Sequence, residues 1–398
     1  MVDDKRVSAG MTSVVAVVHP PERSGLHSFW RARVSALGAR GIAVTLLVPE
    51  SLPDRDFAAL DDMQVRRVNF SRPRALANPV ENARHLARLH SDATLLSRAA
   101  AEVGATTIVS HGVHFLTAAL AARIDAHLRH VVLIHSDSPP RMLATLMHAV
   151  RPPDRAGVEL DSGTKRYARL QPREGWFRIA PLLAPTLGAP GPGSRSVGTP
   201  HSGNGRRTIV FAAALSPRKR PELFLDMVEM MSGSPAHREL AYRVIGVYTD
   251  SHSEWARNVV VPRIHELRGR GVDVEFVDGA DGARAHIARA DVLVITSRSE
   301  GIPNVALEAI AERVPVVSVD LEGVRKLQRL AEEHGQSDLV RVVSGHGSVV
   351  ENLVAAVAQS LSLDRASKVA QRVAESVQSA DAVNLLASAL RGGGPHHD

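Results

Sequence analysis

One pattern recurs along the chain: a short apolar run, a longer stretch whose apolar residues return every three or four positions, then another apolar run. Short uninterrupted apolar runs between polar loops read as strands buried on both faces, and such strands belong to parallel sheets. In the first half, TSVVAVVH (12–19) is such a strand, GLHSFWRARVSALGARG (25–41) is an amphipathic helix closed by glycine, and IAVTLLV is the next strand. QVRRVNF leads to the long helical segment PVENARHLARLHSDATLLSRAAAEVG, followed by ATTIVS, the helix FLTAALAARIDAHL and HVVLIHS. A strand that returns parallel to its neighbour needs a crossover, so the pattern predicts a doubly wound α/β domain with right-handed helical crossovers.

The pattern stops over 186–207, TLGAPGPGSRSVGTPHSGNGRR, which is rich in Gly, Pro and Ser and has no periodicity. This is a linker or mobile loop. The alternation then restarts with RTIVFAAA, PELFLDMVEMMSG, AYRVIGVY, SEWARNVVVPRIHELRGRG and VDVEFVD, and continues through ARAHIARA, DVLVITS, VPVVSVD and LVRVV. At 398 residues the chain is long for a single core. The expected organisation is a Rossmann-like domain over 1–185, the linker, a second Rossmann-like domain over 208–365 and a C-terminal helix within 366–398. That helix belongs to a helical stretch running roughly from 348 to 391 and is long enough to cross back to the first domain. Between 152 and 177, PPDRAGVELDSGTKRYARLQPREGWF reads as an irregular insertion.

Composition narrows the chemistry. The chain has no cysteine, which removes disulfides, thiolate zinc sites and cysteine nucleophiles together. No apolar run approaches the ~20 residues that span a bilayer, and the start MVDDKRVSAG lacks the apolar core of a signal peptide, so a cytoplasmic protein is expected. The formal charge of +6 and a pI near 10.1 favour anionic partners such as phosphates, and extend to peripheral contact with acidic lipid headgroups. Basic residues are spread along the chain without interleaved aromatics, so no nucleic-acid partner is expected.

The stretch SEGIPNVALEA (299–309) sits between the apolar runs DVLVITS and VPVVSVD, which makes it a strand-to-helix crossing. Pro303 suits the first helical position, so Glu300 falls in the loop at a strand's carboxyl end while Glu308 lies inside the helix. In open α/β sheets that edge is where ligands bind. A carboxylate there accepts hydrogen bonds from sugar or ribose hydroxyls, and the backbone around Gly301, Ile302, Pro303, Asn304 and Val305 forms an anion-friendly helix start.

The run SEGIPNVALEAIAERVPVVSVD resembles the E-x7-E signature of retaining GT-B glycosyltransferases of the family 4 type, with its Glu-Gly, Glu-Ala and Pro-Val-Val elements at matching positions. The flanking ARADVLVITS fits as well, and the double α/β alternation extends the resemblance more loosely over most of the chain. The resemblance implies a GT-B fold with two domains facing a cleft, and a nucleotide-diphosphate sugar as donor, UDP- or GDP-linked. It also implies a small-molecule or glycan acceptor, no catalytic metal and no further cofactor. By the same resemblance, Glu300 would lie near the hydroxyls of the transferred sugar and Glu308 would hold the ribose.

The family commonly carries Gly-Arg-Leu-x-x-x-Lys-Gly after the first strand of the second domain, where the arginine and lysine neutralise the diphosphate. Here the segment is AAALSPRKRPELF: Lys219 aligns with the lysine, but Ala213 and Ala214 stand where the glycine and arginine are expected. Arg218 or Arg220 is then a candidate to reach the phosphates. In the first domain, HPPERSGLHSF keeps one glycine, Gly25, of the family's phosphate-approaching pair, flanked by His19 and His27. His111 follows a buried strand in IVSHGVHF and by resemblance would contact the donor sugar, with His114 and His135 toward the acceptor. Gly279, in VDGADGARAH, sits in the loop that brackets the base in the family. Two readings follow: a retaining glycosyltransferase, or a GT-B protein that binds a nucleotide sugar without transferring it, for which Ala214 is the argument.

Overall fold

The computed structural model describes residues 12–17, 25–51, 63–70, 79–111, 114–135, 147–179, 206–248, 252–278, 283–362 and 380–391. The chain divides into two units, one of Met1–Pro185 with Gln378–Asp398 and one of Thr186–Val377.

Unit 1 is built on a seven-stranded sheet of β1 (Thr12–Val17), β2 (Ile42–Pro49), β3 (Gln64–Val68), β4 (Thr107–His111), β5 (Arg129–Ile134), β6 (Arg155–Val158) and β7 (Trp176–Arg178). Their order is β3-β2-β1-β4-β5-β6-β7, and each neighbouring pair is parallel. Side chains of a strand alternate between faces, and β1 shows the consequence. Val14 and Ala16 join a core with Trp30 and Leu37 of helix α1 (Gly25–Gly38), while Val15 and Val17 join one with Leu96 and Ala100 of α2 (Pro79–Glu102) and Ala118 of α3 (Phe115–Ile124). Burial on both faces is why these strands read as continuous apolar runs.

The segment expected to be an irregular insertion is instead part of this sheet. It supplies β6, the short helix α4 (Asp161–Arg166) and the edge strand β7. Two features hide it from a hydropathy reading. Asp154 and Arg155 are charged yet buried, with Asp154 Oδ2 accepting from the His130 N–H at 2.7 Å and Arg155 donating to the Glu174 carbonyl at 3.3 Å. Gly157 contributes no side chain because a Cβ there would sit 2.6 Å from the Phe177 ring.

Unit 2 repeats the plan in six strands: β8 (Arg207–Leu215), β9 (Leu240–Tyr248), β10 (Val274–Asp278), β11 (Val292–Ile295), β12 (Val316–Val319) and β13 (Val340–Val343). The order is β10-β9-β8-β11-β12-β13, again all parallel. Helices α5 (Pro221–Ser232), α6 (Ser253–Gly269), α7 (Ala283–Arg289), α8 (Asn304–Ala311), α9 (Glu322–Glu333) and α10 (Val349–Leu361) connect and follow the strands. Of the expected linker, 186–205 lie outside the described residues, and Arg207, its last residue, belongs to β8.

The C-terminal helical stretch contains α10 in unit 2 and a further helix, α11 (Ala380–Arg391), in unit 1. Val383, Leu386 and Leu390 of α11 enter the α1 side of the first core. The carbonyl groups at its end are capped from the sheet: Thr107 Oγ1 donates to Leu390 O at 3.0 Å and Arg129 donates to Ala389 O at 3.3 Å. Helix ends leave such carbonyls without intrahelical partners, so these bonds fix where α11 docks.

Candidate functional site

A doubly wound sheet has a switch point where the chain leaves to opposite sides from adjacent strands, and the loops there open a crevice at the strands' carboxyl ends. In unit 2 the switch point lies between β8 and β11, which are hydrogen-bonded neighbours. The loops that follow these strands, 216–220 and 296–303, contain Lys219 and Glu300.

These loops are joined residue by residue. The Arg298 N–H donates to Arg218 O at 2.8 Å, and the buried Thr296 hydroxyl lies 2.9 Å from Lys219 O and 2.8 Å from Arg220 O. Lys219 Nζ donates to Glu300 Oε1, and the Ser297 hydroxyl donates to that same oxygen at 2.7 Å. Arg218 Nη1 donates to Ser299 O at 2.6 Å and lies 3.4 Å from Glu300 Oε2. Glu300 therefore meets a cation at each carboxylate oxygen. Burial by itself pushes its pKa up, but the charges of Lys219 and Arg218 and the bonds from Lys219 and Ser297 hold it below the ordinary glutamate value. Lys219 is lowered too, because burial of the ammonium outweighs what Glu300 returns.

Arg220 takes a different role. It caps α5 with φ 49°, the left-handed region, at the position where the resembled family carries glycine. Its guanidinium points back into the strand ends, donating to Thr296 O at 2.6 Å and Ser297 O at 3.3 Å. Two charge-assisted bonds hold a backbone conformation that an L-residue otherwise avoids.

Pro303 is the N-cap of α8 rather than its first helical residue, and its carbonyl accepts from Ala306 N–H at 3.0 Å. Asn304 and Val305 therefore form the first turn, while Gly301 and Ile302 lie buried before it. The loop is supported from behind by α9: a Cβ at Gly323 would fall 1.9 Å from Gly301 O, so only glycine permits this approach. Glu308 sits in the middle of α8, half-buried, and its carboxyl group makes no hydrogen bond to a described residue. Burial, opposed by Arg284 and reinforced by Glu312, pushes its pKa up to about 7. A carboxyl whose oxygens have no hydrogen-bond partner among the described residues can accept from a hydroxyl.

Unit 1 has its switch point between β1 and β4, and His111 is the last residue of β4. Its ring is buried, and both nitrogens are engaged. Trp30 Nε1 donates to His111 Nε2 at 3.1 Å, His111 Nδ1 lies 3.1 Å from His135 Nε2, and His135 Nδ1 lies 2.6 Å from Glu159 Oε1. Because the indole nitrogen can only donate, one proton arrangement satisfies the chain: His111 carries its proton on Nδ1 and gives it to His135, which carries its own on Nδ1 toward Glu159. The two imidazoles stack with centroids 5.1 Å apart, and Phe29 packs edge-on against both. Arg33 lies over the Phe29 ring at 3.7 Å, its pKa lowered to about 10 by burial and partly restored by Glu159. Burial, followed by the charges of His135, Arg33 and His114, holds His111 well below the usual histidine value, so it is neutral at physiological pH.

Among the other sequence candidates, His114 is buried edge-on to Phe70 with centroids 5.3 Å apart. Gly25 is the first residue of α1, and His27 follows in the same helix. His19 and Gly279 lie outside the described residues. Thr296, Ser297, Trp30, Arg33 and Glu159 received no role from sequence. The polar pair that ends the apolar run of β11 was a usable signal for the first two; nothing comparable marks the others. Among the described residues no helix is long and apolar enough to cross a membrane.

The family model of Glycosyl transferases group 1 matches residues 206–362, which lie within unit 2. No curated protein matches the sequence. Solved structures with the same fold include the HepE protein of Anabaena in complex with UDP-glucose (13% identity, 96% of this chain and 99% of that one, TM-score 0.67). Others are sucrose-phosphate synthase from Thermosynechococcus elongatus (15%, 96% and 98%, 0.66) and α,α-trehalose 6-phosphate synthase from Burkholderia multivorans (12%, 96% and 98%, 0.66). The two parallel-sheet units are those of the GT-B fold expected from the sequence.

Proposed function

We propose that this chain is a retaining, metal-independent glycosyltransferase that moves a sugar from a nucleotide-diphosphate donor to a hydroxyl of a small-molecule or glycan acceptor. The observation that carries the reading is the convergence of Lys219, Arg218 and Glu300 at the β8/β11 switch point, inside the segment that matches the glycosyl transferase group. Among the solved structures of similar fold, the HepE protein is in complex with UDP or UDP-glucose and two others bear the names of sugar-phosphate synthases, which supports a nucleotide-sugar donor.

The roles follow from chemistry. Glu308 accepts from the ribose hydroxyls and Glu300 from hydroxyls of the transferred sugar, while cations of the 216–220 loop stabilise the charge that grows on the departing diphosphate. The acceptor oxygen bonds to the anomeric carbon on the face that the diphosphate leaves, and the released phosphate oxygen takes the acceptor's proton. No protein base is required by this scheme; the residues contribute position and charge. His111 would touch the donor sugar only by exchanging its bond to Trp30 or to His135.

A second reading, a protein that binds a nucleotide sugar without transferring it, rests on Ala214 in β8 where the resembled family has a cation. One kinetic experiment separates the two. Glu300→Ala and Lys219→Ala are each expected to lower kcat/KM for sugar transfer or donor hydrolysis ~10-fold or more, about 1.4 kcal/mol, with the fold intact. Full activity in both variants sinks the assignment of the site; binding of the donor with no turnover in the wild type favours the second reading.

A further inference from the structure

Three cations stand in a row at 218–220, and the sequence, which singles out Lys219 by resemblance, gives no reason to choose between Arg218 and Arg220. The structure separates them by direction. Arg220 is spent on the carbonyls of Thr296 and Ser297. Lys219 and Arg218 both face Glu300, one at each carboxylate oxygen, with side-chain exposures of 19% and 49% against 11% for the glutamate. The cationic pair is thus within reach of solvent while its anion is held below it, fixed a third time by the Ser297 hydroxyl.

Two cations arranged around two oxygens of one anion are equally suited to oxygens of a diphosphate, since carboxylate and phosphate offer similar acceptor pairs to lysine and arginine. Ala214 supplies no charge from β8, so the second cation has to come from elsewhere in the loop. We infer that Arg218 and Lys219 form the diphosphate clamp of this chain, and that Glu300 is its resting counter-ion, an internal anion that the diphosphate displaces. This inference rests on the proposed function. It adds a coupling: the event that fills the clamp also releases both oxygens of Glu300 from their cations, leaving only the Ser297 bond, so the sugar-binding carboxylate becomes available only when a diphosphate is in place. Until then Glu300 competes for its own ligand's site, and apparent affinity is reduced by the fraction of time the clamp is open.

The test is calorimetric titration of the full chain with UDP, GDP and ADP, with the matching nucleosides and inorganic pyrophosphate as controls. For the diphosphate that binds the wild type, Glu300→Gln is expected to tighten binding roughly 3- to 10-fold, with nucleoside affinity unchanged. Ser297→Ala keeps the charge of Glu300 but removes one of its anchors, and is expected to tighten binding about 2-fold. Arg218→Ala is expected to weaken it roughly 10-fold. Unchanged or weaker binding in Glu300→Gln overturns the counter-ion role. Tightening in Glu300→Gln without any in Ser297→Ala also overturns it, because simple repulsion by the charge then suffices. Unchanged binding in Arg218→Ala removes Arg218 from the clamp. If no diphosphate binds any of these proteins, the proposed function falls together with the inference.

Discussion

The same strand order brings polar side chains to the switch point of each unit, but the two sets are organised in opposite ways. In unit 2, at β8 and β11, they are ions of both signs, and part of the set reaches solvent. In unit 1, at β4, β5 and β6, they form a line of hydrogen bonds from Trp30 through His111 and His135 to Glu159 that uses every ring nitrogen. The first arrangement is satisfied internally only by pairing charges that a ligand can separate. The second is satisfied at little electrostatic expense, and disturbing it leaves a buried polar atom without a partner, which is the more damaging change. On the proposed function, unit 2 is poised for exchange, while the buried Trp30–His111 end of the unit 1 line is held in place.

The strongest way to break this contrast is Trp30→Phe, which keeps an aromatic ring but removes the five-membered ring whose N–H fixes the proton order. Leaving His111 Nε2 without its donor is expected to destabilise the protein by ~1–3 kcal/mol, and the volume lost from the buried Trp30 side chain adds to that. Both are read as a lower urea midpoint at constant slope. Nucleoside-diphosphate affinity should stay within about 2-fold of wild type; a drop comparable to that of Arg218→Ala would show that the relay belongs to the donor site.

A smaller effect concerns Glu308, whose pKa is pushed up to about 7 by burial, next to Arg284 and Glu312. If ribose hydroxyls bind its ionised form, affinity for UDP-glucose should rise roughly 10-fold between pH 6 and pH 8 and then level off. That ligand has no group of its own titrating in the window. The sign for stability is opposite: a glutamate raised in the folded state holds an extra proton, so its contribution to stability falls as pH rises from about 4.5 through about 7. Glu308→Gln should flatten both profiles, and a persistent slope in that variant would assign the titration to another group.

The smallest effect isolates the strained cap. Arg220→Ala loses two bonds to the loop that leaves β11 and keeps the left-handed backbone, so a loss of ~1 kcal/mol is expected. Arg220→Gly loses the same bonds but relieves the backbone by ~1 kcal/mol, leaving stability within ~0.5 kcal/mol of wild type. Equal melting temperatures for the two variants would mean that the conformation carries no strain.

Much of this was legible in the sequence. Strand and helix positions followed from periodicity, and Glu300 and Glu308 were marked by their places after a strand and within a helix, while Lys219 was marked by the family resemblance of its loop. What escaped had a common cause. Asp154 and Arg155 look like loop residues because burial of a charge makes sense only when the partner is known, and those partners, His130 N–H and the Glu174 carbonyl, lie 24 and 19 residues away. Missing β6 also hid Glu159, the residue just after that strand, and with it the end of the relay. Trp30 was read as an apolar member of an amphipathic helix, and its N–H has a meaning only beside His111, 81 residues later.

By itself the sequence determined the two parallel sheets and the edge at which ligands meet them, because buried strands and crossover helices leave a periodic trace that needs no partner to be read. It could not say which of the two arginines beside Lys219 turns toward Glu300. That was decided by the backbone of Arg220, whose left-handed φ of 49° turns its side chain onto the carbonyls of β11's exit and leaves Arg218 and Lys219 to Glu300. Direction of a side chain depends on the strand packed next to it, and only the tertiary structure supplies that neighbour.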